Sequence, residues 1–358
     1  MNPRTKRHRV GILFGGRSVE HEVSVISAQG VMAAIDTARF LPVPIGVTRQ
    51  GTWLTPAQTE QALLSIRSER IRGLDEPLGD GLLYRTAALA SLRRLDIVFP
   101  LIHGTNGEDG TLQGFLELAG IPYVGAGVAA SALGMDKGLQ KTFFRHHGFP
   151  VVNDIEIRAS GWARNPQEIV RAAEATIGYP AFVKPANGGS SVGTTKARSR
   201  EDLEAAIAEA FRYDRKVLVE EAMDAREIEV AVLGNDEPEA SPAGEITFQA
   251  EFYDYRAKYD DPRTQLHIPA DIPEEVSDRL RSTAVEAYRA IDCAGLARVD
   301  FFVTADGRHY INEVNTIPGF TPMSMYPKLW EAAGVSYSEL ITRLIELGLE
   351  RYQERPRG

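Results

Sequence analysis

The chain has 358 residues, of which 43% are hydrophobic, so it can bury a sizeable core, and its length predicts two or three domains. The net charge is -9, which gives no sign of a polyanion-binding surface and argues against a nucleic-acid partner. The single cysteine, Cys293, excludes intramolecular disulfides and cysteine-cluster metal sites.

The apolar runs of the sequence bear on where the protein resides. The N-terminus is basic, but the apolar run from Val10 to Phe14 is too short for the core of a signal peptide. No apolar run approaches the length that spans a membrane. Cys293 is predicted to be buried and to pack as an apolar side chain at a helix end, Tyr288 to Ala294. A single buried thiol fits a reducing compartment. We therefore expect a cytoplasmic protein with no membrane partner.

Strands and helices alternate along the first third of the sequence. Strands are predicted at Val10–Phe14, Leu41–Val47 and Asp96–Ile102. One helix is predicted after Gly16, with apolar positions at Val23, Ile26, Val31 and Ile35, and another over Gly110–Ala119. The segment from Thr55 to Arg94 mixes helical and loop patterns. Continuous apolar strands are typical of a buried parallel sheet, in which ligands bind beyond the carboxyl ends of the strands. The sequence thus predicts an open α/β domain over residues 1–125.

Two further domains are predicted, over residues 126–222 and 223–358, which keeps the whole chain in the α/β class. The first of them contains a helix over Asp136–His147, a strand ending at Lys184, a loop over Asn187–Gly193, a helix over Glu201–Phe211 and a strand over Lys216–Glu220. The second contains a long polar loop over Phe252–His267, a helix over Pro273–Ile291, a strand hairpin and closing helices that reach Tyr352.

The hairpin carries the clearest chemical pattern. Alternating apolar residues predict strands around Asp300 and Glu313, joined by a turn at Ala305–Gly307. Side chains two positions apart share a face of a strand, so Glu313 and Asn315 point the same way, and pairing can bring Asp300 opposite them. Two carboxylates and an amide oxygen suit Mg²⁺. A solvated hairpin face is the plainer alternative, but strands disfavour Asp and Asn, and this favours a metal site.

The glycine-rich loop after Lys184 is typical of an anion site. Gly188 to Gly193 offers backbone N–H groups and the hydroxyls of Ser190 and Ser191, and a lysine beside such donors suits a phosphate group. A Gly/Ser stretch by itself is more often an ordinary turn. The pattern is neither a P-loop nor a dinucleotide fingerprint, and Gly15-Gly16 after the first strand lacks the third glycine that a dinucleotide site requires.

Several motifs together resemble those of the D-alanine–D-alanine ligases. They are Gly15–Ser24, His103–Gly114, Met135–Lys137, Lys184-Pro185 with the loop after it, Tyr253–Tyr259, Arg298–Asp300 and Asn312–Gly319. They follow the family order over nearly the whole chain, and Thr55–Arg94 resembles the insertion of longer members. The resemblance implies an ATP-grasp fold, preceded by the open α/β domain, that clamps ATP between two sheets. It also implies ligation of two D-alanines through an acyl phosphate, for peptidoglycan precursor synthesis.

The resemblance assigns a nucleotide site and a metal site. The ATP-binding residues that it implies are Lys137, Lys184, Ser190, Ser191, Glu220, Glu227 and Lys258. Among these, Lys258 would lie near the γ-phosphate, and Glu220 and Glu227 would meet adenine and ribose. This chain has Glu221 where the family often has Lys, which leaves the adenine contacts less defined. The metal ligands that it implies for two Mg²⁺ ions, or Mn²⁺ instead, are Asp300, Glu313 and Asn315.

The resemblance also assigns the residues around the two amino-acid substrates. Arg298 and the backbone N–H of Gly319 would form the oxyanion site for the tetrahedral intermediate. Glu20 would bind the ammonium group of the first substrate, and His103 its carboxylate. The second-substrate pocket would include Ser324 and Met325. The plainer alternatives are that Arg298 simply pairs with Asp300 and that His103 has a structural role.

The long polar loop, Phe252–His267, is expected to act as a lid that keeps water away from the acyl phosphate. By resemblance, Tyr259, Ser190 and Glu20 would form a hydrogen-bonded chain that latches this lid. A tyrosine packed under a surface loop is the plainer alternative.

Three other functions remain open at this point. A D-alanine–D-lactate ligase would be expected to change Tyr259, and another ATP-grasp carboxylate–amine ligase has no reason to carry Glu20 and His103 together. A non-catalytic nucleotide sensor would lose Arg298 or a metal ligand. The chain keeps all of these residues, which favours formation of D-alanyl-D-alanine. The resemblance further implies a homodimer whose small-molecule partners are ATP and D-alanine.

Overall fold

The computed structural model describes residues 7–69, 74, 90–247 and 265–354. Within them the strands form three sheets. None of the helices in these ranges is long and apolar enough to cross a membrane. Lys258, Tyr259 and most of the predicted lid lie outside the described residues.

The first sheet is parallel, as its continuous apolar strands predict. Strand β1 (His8–Gly15) lies between β2 (Phe40–Val47) and β3 (Ile97–Pro100), with helices α1 (His21–Ala34), α2 (Pro56–Glu69) and α3 (Thr111–Leu118) around it. Gly15 has a φ of +94°, and a Cβ there would lie 2.1 Å from the carbonyl oxygen of Val47, so the chain can leave β1 only through glycine. Ile26, one of the apolar positions of α1, does not lie on the buried face of the helix. Its side chain is 53% exposed, because the neighbouring residues Ser24, Ser27 and Ala28 form that face.

The second sheet is antiparallel and holds the glycine-rich loop. Its strands β4 (Asp154–Arg158), β5 (Ala181–Pro185), β6 (Thr195–Ala197) and β7 (Lys216–Glu221) are arranged in the order β4-β7-β5-β6. The helices of this part are α4 (Val128–Met135), α5 (Lys137–His146), α6 (Ala159–Arg164), α7 (Pro166–Thr176) and α8 (Arg200–Ala210). The loop joins β5 to β6 at the end of the sheet, so Lys184 on β5 lies beside the loop's donors, as predicted.

The third sheet carries the metal hairpin. It contains β8 (Arg226–Gly234), β9 (Glu239–Ala240), β10 (Gly244–Thr247), β11 (Gln265–His267), β12 (Gly295–Val303) and β13 (His309–Asn315), and its helices are α9 (Glu274–Ala290), α10 (Met325–Ala332) and α11 (Tyr337–Gln353). The strand order is β11-β10-β8-β12-β13, with β9 paired to β8. Two details differ from expectation. The end of the predicted polar loop is the strand β11, and Cys293 is buried, as predicted, but follows α9 instead of lying within the helix.

The two ends of the chain share one hydrophobic core. Side chains of β1 and α1, such as Val10 and Val31, are in the same buried cluster as Leu340 and Leu344 of α11. The rings of Phe99 and Phe320 lie 5.6 Å apart in it. The first and third sheets therefore pack as neighbours and can present residues to a common cleft. The domain boundaries at residues 125 and 222 stay a prediction.

Candidate active site

A cleft of about 1390 Å³ is lined by strands of the second and third sheets and by helices and loops next to the first sheet. Every predicted site residue that the structure describes lines it: Glu20, His103, Lys137, Lys184, Ser190, Ser191, Glu220, Glu227, Arg298, Asp300, Glu313, Asn315, Gly319, Ser324 and Met325. Positions as far apart in the sequence as Glu20 and Met325 thus meet in one cavity, which is what a shared site requires. Lys258 and Tyr259, the remaining two, fall outside the described residues.

Glu20 joins the first sheet to the glycine-rich loop. It precedes α1, is 8% exposed, and accepts a hydrogen bond of 2.5 Å from the hydroxyl of Ser190. The loop adopts an uncommon backbone to make this contact, since Ser190 and Ser191 have φ values of 50° and 57°. Non-glycine residues rarely adopt this left-handed conformation, and such outliers cluster at functional sites. The predicted Glu20–Ser190 contact is therefore present.

His103 follows β3 and is almost fully buried. Its Nδ1 donates to the carbonyl oxygen of Ile317 at 3.0 Å and lies 3.7 Å from a carboxylate oxygen of Glu108, while Nε2 lies 3.2 Å from the hydroxyl of Ser27. Burial lowers the pKa of His103, but the hydrogen bond and charge of Glu108 outweigh burial, so the net pKa is raised. An imidazole that keeps its proton to higher pH than usual fits the predicted contact with a carboxylate.

The lysines of the nucleotide region are paired with carboxylates. Lys137 begins α5, donates to the carbonyl oxygen of Gly188 at 2.8 Å, and has its Nζ 3.2 Å from Glu313. Lys184 has its Nζ 2.8 Å from Glu220. Burial raises the pKa of Glu220, but nearby lysines outweigh it and lower the net pKa. Two cationic groups thus line the cleft next to the loop's N–H groups, an arrangement suited to phosphate oxygens.

The predicted metal ligands lie together on one face of the hairpin. Asp300 is directly opposite Glu313, and Asn315 is opposite Arg298, which places all four side chains on one face. The amide of Asn315 donates to Asp300 at 2.9 Å. Within the described ranges, no three or more His, Cys, Asp or Glu side chains form a group that could hold a metal ion. Asp300, Glu313 and Asn315 thus share one face of the hairpin, and their role as metal ligands stays a prediction.

Arg298 pairs with two carboxylates on this same face. Its Nε and Nη2 donate to the two oxygens of Asp300 at 2.7 Å each, and its Nε lies 2.9 Å from Glu229 on β8. Burial lowers the pKa of Arg298, but these carboxylates outweigh burial and raise the net pKa further above its ordinary value. The alternative of simple pairing with Asp300 is thus realised in the structure. It does not conflict with an anion-binding role, because Arg298 also lines the cleft.

The second-substrate region lies where α10 begins. The hydroxyl of Ser324 is 2.8 Å from that of Thr321, and Met325 is 5% exposed. Gly319 lines the cleft two residues before Thr321. These positions, and that of Glu227, agree with the predicted pockets, and their roles stay predictions.

Three further residues of the site were not predicted from the sequence. Glu108 and Glu229 lie on the cleft and pair with His103 and Arg298. Lys141 lies behind the cleft, with its Nζ 3.4 Å from Glu220. Each depends on a contact across more than one element, which periodicity cannot reveal. Glu108 lies within the motif His103–Gly114, and this position is the sequence signal that indicates it.

Comparison with known families agrees with the geometry. A family model described as the D-ala D-ala ligase N-terminus matches residues 9–126, and one described as the D-ala D-ala ligase C-terminus matches residues 143–346. Two curated relatives are D-alanine–D-alanine ligases. That of Deinococcus radiodurans is 52% identical over 96% of this chain and 99% of the relative. That of Geobacillus thermodenitrificans is 49% identical over 97% of each chain.

Solved structures agree with these relatives. The VanG D-Ala:D-Ser ligase of Enterococcus faecalis matches with a TM-score of 0.80 and 37% identity, over 96% of this chain and 100% of that chain. The D-alanine–D-alanine ligase of Bacillus anthracis, complexed with ATP, matches with a TM-score of 0.74 and 27% identity, over 97% and 99%. The two antiparallel sheets around the cleft are accordingly those of an ATP-grasp fold. The chain belongs to the D-alanine–D-alanine ligase family.

Proposed function

We propose that the protein joins two D-alanine molecules into D-alanyl-D-alanine, with ATP as co-substrate, for the synthesis of peptidoglycan precursors. The observation that carries the proposal is the convergence of four kinds of group in one cleft. A carboxylate, Glu20, suits an ammonium group, and His103 suits a carboxylate. Arg298 suits an oxyanion, and the face of Asp300 and Glu313 suits a divalent cation. A ligase that joins an amino acid's carboxylate to an amine needs all four.

The reaction has two steps. A carboxylate oxygen of the first D-alanine attacks the γ-phosphorus of ATP, which forms an acyl phosphate and releases ADP. The amine of the second D-alanine then attacks the acyl carbon, loses a proton, and displaces phosphate through a tetrahedral intermediate. Phosphoryl transfer needs alignment and charge neutralisation more than covalent help from the protein. This matches a cleft that offers lysines and backbone donors near the nucleotide.

The chain's own residues orient the substrates and stabilise charge. Glu20, held by Ser190, binds the first ammonium group, and His103 faces the carboxylate of the same substrate. Arg298 and the N–H of Gly319 stabilise the oxyanion of the tetrahedral intermediate, since preorganised donors act strongly where water is excluded. The predicted lid, with Tyr259 and Lys258, would exclude water and complete the γ-phosphate site.

The hairpin face fits Mg²⁺. Asp300 and Glu313 offer two carboxylates beside the amide of Asn315 on one face of the hairpin, and Glu229 adds a further negative charge next to Arg298. Asp300, Glu313 and Asn315 would hold the ions, with Mn²⁺ as an alternative, because Mg²⁺ prefers a few carboxylates together with phosphate oxygens and water. When bound, the ions would neutralise charge on the transferred phosphate. The homodimer and the cytoplasmic location stay predictions.

A coupled assay tests the proposal. The protein is incubated with ATP and Mg²⁺, together with D-alanine, L-alanine, D-alanine plus D-lactate, or D-alanine plus D-serine, and both released phosphate and product mass are measured. We expect D-alanyl-D-alanine with D-alanine and little product with L-alanine. D-Serine is included because VanG, named as a D-Ala:D-Ser ligase, is one of the similar structures. A folded protein that forms no dipeptide from D-alanine would contradict the proposal.

A further inference from the structure

Lys141 is a buried lysine that the proposed chemistry does not use. It lies on α5, one turn after Lys137, and is 1% exposed. Unlike Lys137 and Lys184, it does not line the cleft. Within the described residues its ammonium group has no hydrogen-bond partner. Burying a charge in this way is costly unless a partner of opposite charge compensates for it. Lys141 therefore requires a nearby carboxylate.

The compensating partner is Glu220. Its two oxygens face different ammonium groups: Oε1 is 3.4 Å from Nζ of Lys141, and Oε2 is 2.8 Å from Nζ of Lys184. Glu220 is itself 3% exposed. The carboxylate thus lies between an interior lysine and a lysine of the nucleotide site. The Nζ of Lys184 is also 3.5 Å from the amide oxygen of Asn312, which lies on strand β13 of the metal hairpin.

The sharing of Glu220 determines how much of its charge acts on Lys184. Burial lowers the pKa of Lys141, and the charge of Glu220 opposes this effect. With Lys141 protonated, one carboxylate is divided between two ammonium groups, and the three side chains carry a net positive charge. Without Lys141, Glu220 would neutralise Lys184 alone and hold it more closely. We propose that Lys141 is a positioning residue of the nucleotide site, which binds one oxygen of Glu220 and thereby leaves Lys184 free to attract a phosphate group of ATP. This inference rests on the proposed function.

Neighbouring residues of α5 provide a matched control. Arg145, four residues after Lys141, pairs with Asp154, and Asp154 is the cross-strand neighbour of Glu220. Lys141 and Arg145 therefore bind adjacent carboxylates of the same sheet from the same face of one helix. Neither Arg145 nor Asp154 lines the cleft. Arg145→Met removes a cation from the same face of α5 but does not remove a contact of Glu220.

The test is calorimetric titration of ATP with Mg²⁺ into the variants. Lys141→Met keeps the apolar length of the side chain and removes its charge, and we expect it to weaken ATP binding on the order of tenfold, since one unit charge in a partly buried site is worth at least that much. Lys141→Arg should retain most of the affinity, and Arg145→Met should stay within about twofold of the native protein. The apparent KM for ATP should rise more than kcat falls.

A double-mutant cycle separates positioning from a general loss of structure. If Lys141 acts through Glu220, Lys141→Met should have little effect on ATP affinity once Glu220→Gln is present. The double variant removes a buried pair together, a change that proteins often tolerate, so this comparison stays possible even where Lys141→Met alone does not fold. Equal loss in both backgrounds, or no loss in the native background, would overturn the inference. A native protein that does not bind ATP would instead contradict the proposed function.

Discussion

Charge pairing dominates the cleft at the scale of single residues. Lys137 pairs with Glu313, Lys184 with Glu220, and Arg298 with Asp300 and Glu229. Removing one partner of a buried pair costs about 3–5 kcal/mol, because the other charge is left without compensation. Informative substitutions here must therefore keep the shape of the side chain, and folding must be measured beside activity.

Glu313→Gln tests the metal face. The substitution keeps the size of the side chain but removes the carboxylate that would contact Mg²⁺, so we expect turnover to fall on the order of a hundredfold or more and the Mg²⁺ requirement to rise. Phosphate release at several Mg²⁺ concentrations measures both. Glu331→Gln, at an exposed position on α10, is the matched control and should behave as the native protein does. Near-normal turnover of Glu313→Gln at limiting Mg²⁺ would favour the alternative in which this face of the hairpin is only a solvated surface.

Ser190 allows its hydroxyl to be separated from its backbone. Ser190→Ala and Ser190→Gly both remove the bond to Glu20, which is worth about 1.5–3 kcal/mol for a charged acceptor, so both should weaken D-alanine binding tenfold or more. With a φ of 50°, the glycine variant should be the more stable of the two by about 1 kcal/mol. Kinetics and urea unfolding measure the two effects. A glycine variant with native D-alanine affinity would show that only the backbone conformation matters.

Glu108 should control the charge of His103. Glu108 raises the pKa of His103, so in the native protein the imidazole keeps its proton to higher pH than usual. Glu108→Gln lowers this pKa, because burial is then less opposed. The imidazole of the variant should become neutral at lower pH. As the pH rises from 6 to 8, the variant's kcat/KM for D-alanine should therefore fall more steeply than that of the native protein. His103→Asn should remove this pH-dependent fall from the plot of kcat/KM against pH. Identical profiles for Glu108→Gln and the native protein would exclude the role.

Sequence patterns predicted single residues well where they form a local motif. Asp300, Glu313 and Asn315 could be placed on one face because strand alternation fixes their direction. Glu229 could not be predicted, since it contacts Arg298 only through the pairing of β8 with β12. Lys141 looks in sequence like any solvated helix lysine, and only the packing of α5 against the sheet buries it.

At the scale of elements, helix α5 connects the two antiparallel sheets. Its first residue, Lys137, reaches the glycine-rich loop and the metal hairpin, and Arg145 reaches β4. Gln140 completes the edge strand β13: its side chain accepts from the N–H of Val314 at 3.0 Å and donates to the carbonyl oxygens of Val314 and Gly134. The outer edge of β13 is thereby paired at Val314 by an amide side chain, and at Ile311 its N–H donates to the carbonyl oxygen of Pro150 at 2.8 Å.

Gln140→Leu tests this connection. The substitution keeps a similar volume but leaves the N–H of Val314 without its buried partner, so we expect a loss of about 1–3 kcal/mol in the free energy of unfolding. Urea unfolding measures the loss, and Gln167→Leu at an exposed position is the control. Since β13 carries Glu313, the Mg²⁺ requirement should rise too. Unchanged stability would mean that the edge of β13 does not depend on Gln140.

Elements with clear periodicity were predictable, and those without it were not. The strand and helix of the first β–α unit, the α5 helix and the hairpin follow from apolar spacing and turn residues. Helix α4, Val128–Met135, consists largely of small and apolar residues and has no amphipathic pattern that would indicate it. Strand β11 forms through its pairing with β10, a tertiary contact that overrides the polar composition of Gln265–His267.

At the scale of the whole molecule, the cleft exists because distant parts of the chain pack around it. The core shared by β1, α1, α10 and α11 fixes the first sheet beside the third, and α5 ties the third to the second. Glu20 and Ser190, which are 170 residues apart, meet as a result. The order of motifs predicted this assembly through resemblance, whereas composition and periodicity alone reached only the α/β class.

The central claim is that one cleft activates the carboxylate of a D-alanine by phosphorylation and then joins it to a second. D-Alanine labelled with ¹⁸O in its carboxylate tests this most directly, because an acyl phosphate must pass one carboxylate oxygen to phosphate when the amine displaces it. Mass spectrometry of the released phosphate and of the dipeptide gives the result. We predict labelled phosphate in equal amount to D-alanyl-D-alanine, whereas unlabelled phosphate, or phosphate release without dipeptide, would contradict the account.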